Sequence, residues 1–328
     1  MKKALIVTYY AGANYGAFWQ AYSIGEYIKR LGYEVKYLRD LEMESALKCG
    51  KNSYEKAKNL KLLSAINTVL SITDNKSGFD LVVLGSDEIW NPESAKNPHK
   101  KQYWGQGIKA EKKISYAACA IGTSWKRLLM KMKPLYELDA ISVRDTPSKN
   151  TLKKIIKKDI QFVIDPTFLI SYNLNAELLL IKEKYVFVYS YGLDSEQQKY
   201  VKTYANLNDL KTVVVGYEAQ WADYNLACTP KEWLTLFKYA SYVFTTTFHG
   251  SVYSIIFEKG FTLLGRNPKA IELLKSFGIK SNQNICRVKV TDYLIIEEKE
   301  RQLLEKSIGY LNQFCGYSDI TNDYQEKK

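Results

Sequence analysis

The sequence predicts an α/β protein with two Rossmann-like domains that face each other across a cleft. Short apolar runs typical of buried parallel strands recur along the chain, and amphipathic helical patterns alternate with them. The alternation loosens around residues 171–184, and a chain of 328 residues has room for two domains of ordinary size. We therefore expect a first domain over residues 1–175 and a second over residues 176–328, with the last helix packing back on the first.

The predicted first domain begins with a βαβ unit. Ala4–Tyr9 is an apolar run that predicts a strand, and Gly12–Gly16 is a turn of small residues before an amphipathic helix. Gly32 is placed to end that helix, and Tyr33–Leu38 predicts the next strand. The turn, which contains Asn14, either holds an anion at the helix N-terminus or only connects the strand to the helix.

Two further strands of the first domain end in residues suited to a site. Asp80–Leu84 leads into the turn Gly85-Ser86-Asp87, and Asp139–Val143 leads into Arg144. An arginine there can bind a carboxylate or phosphate with two parallel hydrogen bonds, or it can pair with Asp145 or another neighbour. The other elements expected here are a lysine-rich, mostly helical segment over residues 42–77 and strands at Lys113–Ala118 and Phe162–Ile164.

The predicted second domain repeats the alternation of strands and helices. Thr229-Pro230-Lys231-Glu232 has the pattern of a capping box with proline in the first turn, and Asn267-Pro268 predicts a second helix start. Strands are predicted at Tyr185–Tyr191, Thr212–Val215, Tyr242–Phe244 and Gly260–Leu264, and further helices at Asp194–Tyr204 and from Ile296 to Leu311.

The stretch Tyr242–Ser254 is the candidate site of the second domain. Its strand ends in three threonines and Phe248-His249-Gly250, and we expect a helix from Ser251. Open α/β sheets place their chemistry at such corners, where helix N–H groups attract anions. His249 is one of two histidines in the chain, so it is either a group that titrates near pH 7 or a satisfied, half-buried side chain. The other, His99, is interpreted as an exposed loop residue.

Composition limits the class of protein. A chain with 46% hydrophobic and 25% charged residues is typical of soluble globular proteins. Five scattered cysteines without a CxxC or a Cys/His cluster predict a reduced, cytoplasmic protein without structural zinc. The net charge of +12 predicts anionic partners, such as an anionic substrate or the inner face of a membrane. Nucleic acid is not expected, because no zinc-finger, RRM or basic-zipper signature occurs.

Six blocks, in order and over nearly the whole chain, resemble the polysaccharide pyruvyl transferase family. The resemblance implies a two-domain fold like that of GT-B glycosyltransferases. It also implies transfer of the enolpyruvyl unit of phosphoenolpyruvate to two hydroxyls of a sugar in a cell-surface polysaccharide precursor, which gives a pyruvate ketal. The blocks are Leu5–Val35, Phe79–Pro92, Lys113–Gly122, Ile141–Asp145, Phe162–Ile170 and Thr245–Phe261.

The resemblance also implies roles for particular residues. Arg144 matches the family arginine and is expected to bind the donor, and Lys269 matches a family lysine that would hold the phosphate. His249 matches the family histidine and is expected to be the catalytic acid or base. The remaining substrate-binding candidates are Asn14, Gly16, Gly85, Ser86 and Asp87 on the acceptor side, and Thr247, Gly250 and Arg266 on the donor side.

The expected partners are phosphoenolpyruvate and a saccharide or lipid-linked oligosaccharide acceptor, with peripheral contact to an anionic membrane. Neither a cofactor nor a metal ion is expected.

One departure from the family pattern concerns the donor. Members of the characterised type have Arg-Leu-His where this chain has Thr247-Phe248-His249, so a cation expected beside the histidine is missing. Arg266 either replaces that cation or is a surface loop residue. Two alternatives therefore stay open: a GT-B-like glycosyltransferase that uses a nucleotide-sugar, and a non-catalytic glycan-binding relative.

Overall fold

The computed structural model describes residues 1–12, 14–92, 100–130, 132–175, 179–280 and 284–315. Two mainly parallel sheets organise these residues, one in each half of the chain, which confirms the α/β class. The five strands of the first sheet are β1 (Lys2–Val7), β2 (Tyr33–Leu38), β3 (Ile72–Thr73), β4 (Phe79–Leu84) and β5 (Ala110–Ser115), in the order β3-β2-β1-β4-β5.

A short parallel pair lies beside the first sheet. It consists of β6 (Ile141–Val143) and β7 (Ile160–Phe162), and isolated parallel bridges join residues of this region to the β5 region. The second sheet has the order β10-β9-β8-β11-β12-β13, and its last pair is antiparallel. Its strands are β8 (Tyr185–Tyr189), β9 (Lys211–Val215), β10 (Tyr224–Asn225), β11 (Tyr242–Thr245), β12 (Phe261–Leu264) and β13 (Ile285–Val288).

Helices connect most of these strands. In the first half they are α1 (Tyr15–Arg30), α2 (Leu41–Leu47), α3 (Ser53–Val69), α4 (Trp125–Leu129), α5 (Met132–Tyr136) and α6 (Thr146–Lys153). After β8 they are α7 (Ser195–Leu207), α8 (Pro230–Tyr239), α9 (Phe248–Ile256), α10 (Pro268–Ser276) and α11 (Tyr293–Cys315).

The apolar residues of the central strands point to both faces of each sheet, because both faces are buried. In β1, Ala4 and Ile6 belong to one hydrophobic cluster and Leu5 and Val7 to another. The same alternation occurs in β8, whose odd-numbered residues join the cluster that contains Ala4. One face of each sheet therefore packs into a single apolar core that both halves share.

Helix starts in the second half follow the capping signals of the sequence. Thr229 Oγ1 accepts a hydrogen bond from Glu232 N at 3.2 Å, and Glu232 Oε2 accepts one from Thr229 N at 2.7 Å. Asn267 accepts from the backbone N–H groups of Lys269 and Ala270. Both predicted caps are confirmed.

Several predicted boundaries are wrong, some by only two residues, as for Ala4–Tyr9, which is Lys2–Val7, and Phe162–Ile164, which is Ile160–Phe162. The helix expected from Ser251 begins at Phe248, because Thr247 is its N-cap and accepts a hydrogen bond from Gly250 N at 2.9 Å. The strand expected at Lys113–Ala118 is Ala110–Ser115. The edge strands β3, β10 and β13 were not predicted.

The two halves are in contact along α1, α3 and α11. Tyr15 OH of α1 donates to Cys228 O at 2.7 Å, and Tyr54 OH of α3 donates to Leu226 O at 3.0 Å. Helix α11 starts beside the second sheet and ends against the first, where Tyr310 OH donates to Ser115 O at 2.8 Å. The domain boundary at residue 175 stays a prediction, and His99 lies outside the described residues.

Candidate active site

Three strand ends bring polar side chains together where the two halves meet. Strand β4 leads to Asp87 and β6 to Arg144, while β11 leads through a short turn to His249 in α9. The guanidinium carbon of Arg144 lies 4.4 Å from the centre of the Phe248 ring, at the start of α9. We call this place the crevice, and its position at the carboxyl ends of parallel strands is where open α/β sheets bind ligands.

The turn after β4 is shaped by Gly85 and Ser86. Gly85 has a φ of +114°, and a Cβ there would overlap the carbonyl oxygen of Tyr116, so glycine is needed. Ser86 is fully buried, and its hydroxyl binds the side chain of Gln20 in α1. These two residues support the turn, and Asp87 carries its functional group toward the crevice.

Arg144 is paired with two carboxylates. Its Nη1 donates to Asp165 Oδ2 at 2.7 Å and its Nη2 to Asp87 Oδ1 at 2.9 Å, and the arginine side chain is 3% exposed. Burial disfavours the charges of both Asp87 and Arg144, but the ion pairs outweigh it. The pKa of Asp87 therefore lies well below its ordinary value, and the pKa of Arg144 lies above its own. Both residues are charged at any physiological pH.

Asp145 is not the partner of Arg144. It is the N-cap of α6, where its carboxylate accepts from Ser148 N and Ser148 Oγ, each at 2.7 Å. The sequence interpretation that paired Arg144 with Asp145 is wrong, whereas pairing with other neighbours is what the structure shows.

His249 lies in the first turn of α9 and is 5% exposed. Among the described residues, its Nε2 has no hydrogen-bond partner. Burial lowers the pKa of His249 to about 4; Asp165 and Asp87 oppose this shift, and Arg144 and Lys269 add to it. The ring is therefore neutral at pH 7, and it is more deeply buried than the sequence suggested.

The starts of α1 and α9 touch at Gly16. Asn14 is the N-cap of α1 and accepts from Gly16 N at 2.9 Å, and Tyr189 OH donates to Asn14 Oδ1 at 3.4 Å. A Cβ on Gly16 would overlap the His249 ring. Glycine at this position therefore lets helices from the two halves approach each other directly beside the imidazole.

Replacing Gly16 with alanine is expected to push the His249 ring away from α1. Overpacking of this kind costs about 1–3 kcal/mol, which urea denaturation would measure. Gly309→Ala is the matched control, since that glycine is also helical but its added methyl would meet open space. The control should gain up to about 1 kcal/mol from helix propensity. Equal effects of the two substitutions would contradict the close contact.

Lys269 and Arg266 have different surroundings. Lys269 Nζ lies 3.2 Å from Glu88 Oε1, and both side chains are partly exposed. Lys269 therefore reaches the crevice from α10 and pairs there with Glu88, the neighbour of Asp87 in the chain. Arg266 is exposed, and its Nε donates to Asn284 Oδ1 at 2.7 Å. Its suggested role as a replacement cation stays a prediction.

Thr247 and Gly250 form the start of α9. Thr247 stands where a family arginine was expected, and its hydroxyl caps the helix and lies 3.0 Å from Thr245 Oγ1. A Cβ on Gly250 would overlap the side chains of Thr245 and Thr247. Both residues thus hold the backbone that carries His249, and any contact with substrate stays a prediction.

Comparison with known proteins identifies the family. The family model described as Polysaccharide pyruvyl transferase matches residues 14–268, a range that contains Asn14, Arg144 and His249. The chain belongs to the polysaccharide pyruvyl transferase family. It is therefore a transferase, and the predicted family is confirmed. No curated protein matches the chain significantly.

Solved structures show the fold of this pyruvyl transferase family member. A UDP-N-acetylglucosamine 2-epimerase has a TM-score of 0.54 at 10% identity over 97% of this chain and 98% of its own. A putative UDP-N-acetylglucosamine 2-epimerase from Listeria monocytogenes has a TM-score of 0.48 at 9% identity over 98% and 93%. The glycosyltransferase SnogD from Streptomyces nogalater has 0.35 at 11% over 93% and 94%. The likeness to the first of these, at a TM-score of 0.54, confirms the expected GT-B-like fold.

Neither a membrane-spanning helix nor a metal-binding cluster of side chains is found in the described part of the chain. No helix there is both long enough and apolar enough to cross a bilayer. No group of three or more His, Cys, Asp or Glu residues is arranged there to hold a metal ion.

Sequence reasoning missed three members of the crevice: Asp165, Glu88 and Phe248. Asp165 follows strand β7 and stands inside a block that carries the family resemblance, so its position was a usable signal. Glu88 follows Asp87 directly. Phe248 was seen only as a departure from the family leucine, yet its ring lies under the guanidinium of Arg144.

Proposed function

We propose that this family member transfers the enolpyruvyl unit of phosphoenolpyruvate to two hydroxyls of a sugar in a cell-surface polysaccharide precursor. The observation that supports this most directly is the neutral, buried His249, whose Nε2 lacks a partner among the described residues and whose ring is within the electrostatic influence of the cations Arg144 and Lys269. A proton-transfer group together with a partly exposed lysine suits an anionic donor that must be protonated at carbon.

In the proposed reaction, one imidazole serves two proton transfers. Neutral His249 accepts the proton of an attacking sugar hydroxyl, and the imidazolium so formed donates a proton to the methylene carbon of the donor. The first hydroxyl oxygen bonds to C2 of the donor. The second hydroxyl then bonds to the same carbon and gives its proton to the departing phosphate, which leaves with the electron pair of its C–O bond. The products are the methyl-bearing pyruvate ketal and inorganic phosphate.

The low pKa of His249 fits this order of events. A ring with a pKa of about 4 is neutral at pH 7 and can begin as a base. Once protonated, it is a stronger acid than an ordinary histidine, whose pKa is about 6.5. An anionic donor beside the ring would raise that pKa and stabilise the imidazolium. Binding of the donor and protonation of His249 therefore favour each other.

The two cations have different proposed roles. Arg144 holds Asp87 and Asp165 and contributes a fixed charge, because both its terminal nitrogens are engaged. Lys269, at the start of α10, is partly exposed and is the cation that we assign to the donor phosphate. The acceptor is proposed to be a saccharide or lipid-linked oligosaccharide, and the net charge of +12 favours contact with the anionic inner face of a membrane.

Phosphoenolpyruvate is expected to stabilise the protein against heat. A ligand that binds only the folded state at 100 times its Kd adds about 2.7 kcal/mol, which a thermal-shift titration would detect. The same protein, incubated with phosphoenolpyruvate and a lipid-linked oligosaccharide pool, should release inorganic phosphate.

Nucleotide-sugars serve as the comparison ligands, because the fold is also that of a UDP-N-acetylglucosamine 2-epimerase. A shift with nucleotide-sugars and none with phosphoenolpyruvate would favour the glycosyltransferase alternative. Glycan binding without phosphate release or any donor-induced shift would favour the non-catalytic alternative.

A further inference from the structure

We propose that Glu88 occupies the place of the donor anion on Lys269, so that the donor must displace the Glu88 carboxylate before it can bind. This inference deepens the proposed function, because it takes the displacing group to be the phosphate or carboxylate of the donor. It makes Glu88 a residue that sets the affinity of the crevice for anions.

The Glu88–Lys269 pair can exchange its partners, whereas the Arg144 cluster cannot. Glu88 and Lys269 side chains are 22% and 23% exposed and lie 3.2 Å apart, so water and small anions can reach them. Arg144 is 3% exposed and its partner Asp165 is 1% exposed. Breaking the buried pairs would leave an uncompensated charge inside the protein, but a displaced Glu88 carboxylate can turn into solvent.

The charges of the crevice require one carboxylate to leave. Among the residues that the structure describes, the carboxylates of the crevice are Asp87, Asp165 and Glu88, and the cations paired with them are Arg144 and Lys269. With His249 neutral, the sum is one negative charge. A donor with both a phosphate and a carboxylate is repelled by such a site until a carboxylate withdraws.

Among the three carboxylates, Glu88 has the fewest hydrogen bonds and ion pairs to described residues. Asp87 Oδ1 accepts from Arg144 Nη2 and from Glu88 N, each at 2.9 Å, and Asp165 also accepts from Thr167 Oγ1 at 2.7 Å. In the described ranges, Lys269 is the partner of the Glu88 carboxylate. Exchange therefore needs only rotation of the Glu88 side chain, while its backbone stays bound to Asp87.

The pair also joins the two halves of the chain. Glu88 follows the first-half turn after β4, and Lys269 lies in the first turn of α10 in the second half. Asn267, the N-cap of α10, donates from Nδ2 to Thr246 O at 3.1 Å, which fixes α10 beside the turn that leads to His249. An anion that replaces Glu88 would therefore be held at the start of α10, beside the turn that leads to His249.

The experiment is isothermal titration calorimetry of the full chain with inorganic phosphate and, separately, with phosphoenolpyruvate. Glu88→Gln removes the negative charge and keeps the shape, so we expect both ligands to bind about tenfold more tightly than to the wild type. The double variant Glu88→Gln/Lys269→Met should lose this gain. Glu218→Gln is the matched control, because Glu218 also joins the halves, through Asn52, but forms no ion pair with a described residue. Its affinities should equal those of the wild type.

The outcomes separate this inference from the proposed function. Tighter phosphate binding by Glu88→Gln, without turnover of phosphoenolpyruvate by any form, supports the role of Glu88 and refutes the proposed donor. Unchanged or weaker phosphate binding by a Glu88→Gln protein that melts like the wild type overturns the inference. An equal gain from Glu218→Gln also overturns it, since loosening of the halves would then explain the effect.

Discussion

Arg144→Met is expected to destabilise the protein by about 3–5 kcal/mol at pH 7. The substitution leaves Asp87 and Asp165 buried without their shared cation, and it removes the guanidinium from the face of Phe248. Urea denaturation followed by circular dichroism would measure the loss.

The difference in stability between the two proteins should also depend on pH. In the wild type, the lowered pKa of Asp87 contributes stability that is present above its ordinary pKa of about 3.9 and is lost as pH falls below it. In the variant Asp87 is protonated at a higher pH, so the difference between the two proteins should shrink as pH falls.

The control for this experiment is Arg266→Met. Arg266 is exposed and makes one side-chain hydrogen bond, to Asn284, so the same chemical change should cost less than about 1 kcal/mol. A loss of similar size at both arginines would show that the buried ion pairs do not hold the crevice together.

His249→Gln is expected to reduce ketal formation by about 10²–10⁴-fold, the usual contribution of a general acid or base. Glutamine keeps polarity and approximate size but cannot exchange a proton near neutral pH. The assay is phosphate release from phosphoenolpyruvate in the presence of acceptor, with donor affinity measured in parallel. An unchanged product yield would remove His249 from the mechanism, and His99→Gln serves as the control for the loss of one histidine.

The same variant has a second readout in its stability against acid. The folded protein holds His249 at a pKa of about 4, and an unfolded histidine titrates near 6.5. As pH falls from 6.5 to 4, the unfolded state binds a proton that the folded state does not, so the wild type loses up to about 3 kcal/mol. His249→Gln should lack this loss, and denaturation at pH 7 and at pH 4.5 would reveal it. Parallel pH curves for the two proteins would mean that His249 is not buried as a neutral ring.

The order of strands and helices could be predicted from the sequence because it depends on local signals. Capping residues at Thr229 and Asn267, and the alternation of apolar and charged residues in Tyr33–Leu38, are local signals of this kind, and the structure follows them closely. The start of α9 was misplaced for a local reason as well. Three consecutive threonines offer several N-caps, and the hydrogen bond from Gly250 N to Thr247 decides among them.

The partners of the site residues could not be predicted, because they are distant in sequence. Arg144 is separated by 57 residues from Asp87 and by 21 from Asp165, and chain order does not reveal which carboxylates a buried arginine meets. The contact between Gly16 and His249 depends on how the two halves pack. The low pKa of His249 depends in turn on that packing, because burial is its main cause.

The course of α11 has a consequence for movement of the molecule. The chain passes from the first half to the second after residues 167–172 and returns through α11, and both crossings line one cavity of about 630 Å³. Ile164 N, three residues before the first crossing, donates to Ser307 Oγ of α11 at 2.8 Å, which ties the two crossings together. Two neighbouring connections define a single rotation axis. We therefore expect relative movement of the two halves to be a hinge rotation about this axis, and sliding or twisting of one half against the other to be resisted.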